Sequence, residues 1–180
     1  MQTQKPKVMD VLAEFVIPIV GLKLGEHTYQ FEVDGKFFEK FDNTELEKGS
    51  LHIDLRLVKR SNLMELNFQV QGAVEVLCDR CADDLSLVLR HKEMRIVKFS
   101  QEEFDSTDDV MVLGPDDHEL DVSHMVYETV ALALPSRRVH SVESCNQEVL
   151  DKLEEYQENQ KEKDVDERWS ALKKLLTDKE

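Results

Sequence analysis

Residues 51–81 read LHIDLRLVKRSNLMELNFQVQGAVEVLCDRC. Leu51, Ile53, Leu55 and Leu57 alternate with His52, Asp54, Arg56 and Val58. After Lys59-Arg60-Ser61-Asn62, the residues Met64, Leu66, Phe68 and Val70 alternate with Glu65, Asn67 and Gln69. A period of two puts each set on one face of a pleated strand. Two such runs joined by a short polar stretch predict an antiparallel hairpin. Gly72 breaks the alternation, then Val74 and Val76 lead into Cys78. Beyond Cys81 the alternation returns at Leu85, Leu87 and Leu89, and residues 94–99 extend it. The Cys78-Asp79-Arg80-Cys81 motif is therefore expected at a strand-to-strand connection of a meander, where backbone amides can point at sulfur.

Upstream, Phe15-Val-Ile-Pro18 is apolar, but its proline cannot donate to a ladder, so it predicts an edge strand or an extended lead-in. Gly21 and Gly25 mark turns. Tyr29, Phe31 and Val33 alternate with Gln30 and Glu32 as in a half-buried strand. Asp34-Gly35 reads as a turn dipeptide before Phe37 and Phe38. Downstream, residues 100–109 form an acidic loop, 110–113 a short strand, and 114–117 a turn. Glu119-Leu-Asp-Val122 can return as a strand. Ser123 is placed to cap a helix whose stripe is Met125, Val126, Val130, Ala133 and Leu134, and Pro135 stops it.

From Gln147 the composition shifts. Val149, Leu150, Leu153 and Tyr156 predict a helix that fades into a polar run at 157–164, either a linker or a solvated helix. A last helix is expected over 166–176, with Trp169, Leu172, Leu175 and Leu176 on one face. That face can pack back on the sheet or enter a partner's groove through Trp169.

The bulk numbers limit the function. A length of 180 residues suits one domain with an appendage, and 41% hydrophobic residues are enough for a core. The formal net charge of −15 repels bare nucleic acid at long range, so contact with a polyphosphate needs a local basic patch. It favours basic protein partners or simple solubility. No stretch approaches the roughly 20 apolar residues of a membrane span. Residues 1–7 lead into no apolar run with a cleavage site, so no secretory signal is read and the cytoplasm is the expected compartment. Three cysteines cannot all pair internally, and there the C-x-x-C pair is expected reduced or metal-bound.

A C-x-x-C puts two thiolates on one tight turn, half of a tetrahedral zinc shell. His140 and Cys145, in one loop, can supply the other half. Cys78, Cys81, His140 and Cys145 are thus a candidate ligand set, against the plainer reading of ordinary reduced thiols. Thioredoxin-like chemistry would need a βαβ context that the flanking strand patterns do not offer. No Ser/His/Asp order, nucleophile elbow, Walker loop or dinucleotide fingerprint occurs, so no catalytic constellation is read. Arg80, Arg137 and Arg138 would form a phosphate or partner contact if the metal drew them together, and otherwise they neutralise nearby acids.

Several motifs in order resemble the YceD family of large ribosomal RNA subunit accumulation proteins. They are Cys78-Asp-Arg-Cys81, then Glu119-Leu-Asp-Val122 and a helix ending Ala131-Leu-Ala-Leu-Pro135, then His140 with Cys145, then Arg168-Trp-Ser-Ala-Leu-Lys-Lys-Leu175. The N-terminal region and tail look like a Bacteroidetes-type member. The resemblance implies a non-catalytic accessory role in ribosome biogenesis, with a large-subunit precursor, its RNA, or ribosomal and assembly proteins as partners. The competing classes are an acidic adaptor for basic ribosomal proteins and a zinc- or thiol-dependent enzyme. The expected fold is α+β: a mainly antiparallel sheet (meander), one packed helix and helical C-terminal segments. A β-rich domain over 1–146 would carry the knuckle, and 147–180 would form a charged helical extension.

Overall fold

The computed structural model describes residues 11–41, 46–100 and 110–161. In chain order they form a 3-10 turn at Val11–Phe15, β1 (Val16–Pro18), β2 (Gly25–Asp34), α1 (Gly35–Phe38), β3 (Lys48–Lys59), β4 (Leu63–Leu77) and β5 (Asp84–Phe99). There follow β6 (Val110–Leu113), β7 (Glu119–Asp121), α2 (Ser123–Leu132), a 3-10 turn at Val142–Ser144 and α3 (Gln147–Lys161). The class is α+β with a mainly antiparallel sheet. The chain divides into two compact units: Met1–Leu77 with Asp84–Arg138, and Cys78–Asp83 with Val139–Glu180.

The first unit is built on a sheet of order β2-β3-β4-β5-β6. The first four strands are antiparallel, while β6 joins parallel to β5 over Ile96–Phe99. Alternation in the sequence becomes two faces. Leu51, Ile53, Leu55 and Leu57 of β3 lie opposite Gly72, Val70, Phe68 and Leu66 of β4, and these side chains are buried. The interleaved polar residues take the outer face, because each step along a strand reverses the side-chain direction.

Phenylalanines close the inner layer. Phe15 stacks on Phe31 at 4.9 Å and meets Phe37 at 4.7 Å. α2 packs over β4 and β5. Arg95, on the inner face of β5, reaches Glu128 of α2 at 3.4 Å and Glu93 at 2.7 Å. Pro18 ends β1, which pairs with β7 in a separate two-stranded sheet, so the apolar lead-in is a strand.

Three local expectations need correction. Asp34-Gly35 starts a helix rather than a free turn: Asp34 Oδ1 accepts the N–H groups of Lys36 and Phe37 at 3.0 and 3.3 Å. Two orphan donors are satisfied in that way. Ser123 is the first helical residue and not the cap; Asp121 Oδ1 accepts its N–H at 2.8 Å instead. Gly72 does not break the alternation: β4 runs straight through it, with Val70 and Val74 buried on the same face. The acidic loop beyond Ser100 and the last helix with Trp169 lie outside the described residues.

Gly72 stays in the ladder because its φ of +148° is open to glycine and strained for other residues. A Cβ there would overlap the Ser50 carbonyl oxygen and stand 2.8 Å from Leu51 Cα. Gly21, at φ +84°, has nothing within 4 Å of the same position. Gly72→Ala is therefore expected to cost on the order of 2–4 kcal/mol. Gly21→Ala is expected to cost about 1–2 kcal/mol. Chemical denaturation of the two variants checks the difference, which vanishes if the β3–β4 contact is looser than described.

Candidate metal centre

The centre is formed from two short segments of the second unit. The first is the turn that joins β4 to β5. Cys78 N–H donates to the Asp83 carbonyl at 2.9 Å, and Ala82 N–H donates to the Cys78 carbonyl at 2.9 Å. The turn closes this tightly because Ala82 takes φ +60°, in the left-handed region. An alanine pays a steric cost of about 1–2 kcal/mol for that conformation. Strain of this kind tends to gather at functional sites, where other contacts hold it in place.

The second segment is braced by its own side chains. Ser144 N–H donates to the Ser141 carbonyl at 3.1 Å, and the two hydroxyls meet at 2.9 Å. Gln147 Nε2 donates to the carbonyls of Val142 and Cys145, each at 3.2 Å. Asn146 then caps α3, its Oδ1 accepting Glu148 N–H at 3.1 Å. Cys145 therefore sits between a 3-10 turn and a helix start, both fixed by hydrogen bonds, with extended backbone at φ −80°, ψ 151°.

The segments bring Cys78, Cys81, His140 and Cys145 together, with one ligand atom from each lying within 4.8 Å of the others. The cysteines are 2%, 6% and 4% exposed, and His140 is half-buried. Cys81 Sγ lies 3.5 Å from His140 Nδ1. Sulfur and nitrogen ligands of one tetrahedral zinc, at about 2.3 and 2.0 Å from the metal, are also separated by about 3.5 Å. The four donors fit such an ion in type and number, and the Cys81–His140 pair fits it in spacing.

The electrostatics favour thiolate. Burial pushes the Cys78 thiol up, but the backbone N–H groups of Cys81, His140 and Arg80 outweigh it and bring its pKa to about 6. Cys81 is lowered chiefly by the Asn146 N–H, against burial and with help from the Asp83 N–H. Cys145 moves the other way, to about 11, because it is buried and faces the other two sulfurs. Negative charge on all three sulfurs at once therefore needs a cation among them.

Arg80 lies within the knuckle and is half-buried. Arg137 is exposed and Arg138 half-buried in the segment after α2, which belongs to the first unit. Trp169 lies outside the described residues. Sequence reasoning missed Ala82 and Asn146. The helix-capping preference of asparagine could have pointed to Asn146, whereas an alanine gives no sign of a left-handed backbone.

A family model described as "Large ribosomal RNA subunit accumulation protein YceD" matches residues 66–176. No curated protein and no solved structure matches the chain significantly. The matched span opens inside β4 and includes the knuckle, β5, α2, and the loop with His140 and Cys145. It covers more than half of the sequence, and on that ground the chain belongs to the YceD family, named for accumulation of the large ribosomal RNA subunit.

Proposed function

We propose that this chain is a zinc-binding, non-catalytic accessory factor in cytoplasmic ribosome biogenesis, supporting accumulation or maturation of large-subunit ribosomal RNA. The family supplies the ribosomal context. The observation that carries the rest is the closed donor set. Four protein ligands, Cys78, Cys81, His140 and Cys145, leave no position for a metal-bound water, as in structural rather than catalytic zinc sites. Zinc at this site would join the knuckle to the segment leading into α3, and its binding free energy would become folding free energy for that unit. No described helix is long and apolar enough to cross a membrane.

The acidic balance, with a net charge of −15, supports a second reading: an adaptor for basic ribosomal proteins. Sedimentation of cell extracts separates the readings. Under the first, the protein co-sediments with large-subunit precursors and ribonuclease releases it. Under the adaptor reading it stays with ribosomal proteins after RNA digestion. Absence from every ribosomal fraction would overturn both.

Metal analysis of purified protein is expected to give one zinc per chain. Cys81→Ser should lose it and raise amide exchange across 139–150, leaving exchange in the β3–β4 hairpin unchanged. Full zinc content in that variant would remove Cys81 from the ligand set. The strained residue gives an independent check. Ala82→Gly relieves the left-handed cost and should leave thermal stability unchanged or higher by up to about 1 kcal/mol. Ala82→Val adds a β-branch there and should destabilise by at least about 1 kcal/mol, with weaker zinc retention.

A further inference from the structure

The outer face of the sheet is segregated by charge. On β2 and β3 each charged group is answered locally. Arg56 forms two contacts of 2.7 Å to the Glu26 carboxylate. His52 sits between Glu32 at 2.7 Å and Asp54 at 3.3 Å, and Asp54 also accepts from Gln30 at 2.9 Å. Lys48 lies 3.8 Å from Glu75, and Arg60 lies 2.8 Å from Glu65.

On β5 this pattern stops. Arg90, Lys92 and Lys98 are exposed on the outer face, and among the described residues none has an acidic partner within 4 Å. The residues directly opposite them on β4 are neutral: Gln71 faces Arg90, Gln69 faces Lys92, and Leu63 faces Lys98, whose diagonal neighbour Glu65 pairs with Arg60 instead. Asn67 stands opposite Met94 in the adjoining row. Opposite-charge pairs are the ordinary way to stabilise facing positions of a sheet. This chain has 38 acidic residues to draw on, and places amides there. Beside this column lies a concavity of about 780 Å³, lined by Arg56, Asn67, Gln69 and Lys92 among others, with the acidic residues Asp54 and Glu93 also in its wall.

We propose that the outer face of β4 and β5, centred on Gln69, Gln71, Arg90 and Lys92 with Asn67 and Lys98 along the same strands, contacts the sugar–phosphate backbone of RNA. This rests on the ribosomal-RNA reading above and names the surface that would serve it. Arginine and lysine take phosphate oxygens, and amides take phosphate or 2′-hydroxyl groups. Arg90 and Lys92 are two residues apart along a strand, roughly 7 Å, the order of the distance between adjacent phosphates. The described outer face carries no Phe, Tyr or Trp, so it offers no stacking platform for splayed bases. The contact is therefore to backbone, tolerant of sequence, and suited to double-helical segments. Against the net charge of −15 it is weak and salt-dependent.

The test uses the full chain and a labelled RNA hairpin, with binding measured from low to physiological salt. R90Q/K92Q/K98Q is compared with K23Q/K36Q/K152Q, which removes the same charge outside β5. The first variant should keep the wild-type melting temperature, lose affinity at low salt by about tenfold or more, and flatten the slope of log affinity against log salt by about 2–3. The second should change both much less. Equal losses in the two variants, no loss in the first, or no hairpin binding by the wild type at low salt would overturn the surface. So would a polyglutamate peptide that binds the wild type through these residues more tightly than the hairpin, since that assigns an acidic protein partner. Co-sedimentation separates this surface from the functional reading. If the β5 variant still travels with large-subunit precursors like wild type, the surface is wrong and the function stands. If wild type does not travel with them while the variant loses hairpin binding, the surface stands and the ribosomal role falls.

Discussion

The register of β4 against its two neighbours is the constraint on which the rest depends. β4 pairs with β3 from Met64↔Lys59 to Glu75↔Lys48, and with β5 from Leu63↔Lys98 to Leu77↔Asp84. A slip of one residue would turn Met64, Leu66, Phe68 and Val70 into solvent, exposing four large apolar side chains that are now fully buried. At roughly 1.5–3 kcal/mol for each such side chain, no competing register is close in energy. Gly72 permits this pairing to continue without a break. Its missing Cβ leaves room for the Ser50 carbonyl and the Leu51 backbone, so one strand can serve both neighbours from Met64 to Glu75. The last rung then leaves Cys78–Asp83 to make the turn.

Within that turn the chemistry of sulfur sets the conformation. A relaxed connection would not use Ala82 at a positive φ. The strained form points the amides of Arg80 and Cys81 at the Cys78 sulfur, and these contacts favour thiolate. The partner segment does the same for Cys81 through the Asn146 amide. Backbone strain in one segment and side-chain capping in the other thus serve one end, which is to hold anionic sulfur in a buried place. Three sulfurs this close repel one another once charged, and Cys145, raised first by burial and then by its two sulfur neighbours, is the last to ionise. A divalent cation among the sulfurs would offset that repulsion, which is the physical support for the zinc proposal.

Much of this was legible in the sequence because period-two alternation is unambiguous when a strand buries one face. Leu51–Val70 announced the central hairpin, and Val74, Val76 and Leu85–Leu89 bracketed the knuckle. The convergence of His140 and Cys145 with Cys78 and Cys81 could be stated as a ligand set from residue type, although the loop geometry could not. Local departures were hidden for physical reasons. Gly72 looks like a breaker because sequence alone does not reveal whether a positive φ lies in a turn or within a ladder. Asp34-Gly35 has the same letters in a turn and at a helix start, and the difference lies in which N–H groups the carboxylate meets. Ser123 lies one residue inside the cap, which is Val122, and Asp121 accepts its N–H from outside the helix; spacing alone does not decide where the first turn begins. The exposure of Arg90, Lys92 and Lys98 on one face of β5 follows from the strand register, which residue type alone does not give.

That last point bears on how an acidic protein can work near a polyanion. The net charge of −15 sets a long-range repulsion that Arg90, Lys92 and Lys98 cannot reverse. It does, however, fall off within a Debye length of about 8–10 Å at working salt. Inside that distance only local charge matters, and there β5 presents cations beside amides while β2 and β3 present groups already satisfied by one another. If the proposed surface is right, an acidic body with such a basic strand would reject loose nucleic acid in bulk and accept it where something else has brought it close. Placement on a precursor particle by protein contacts is such a circumstance. On that proposal the two readings of the charge, repulsion overall and attraction at one strand, would be parts of a single device for avoiding non-specific RNA.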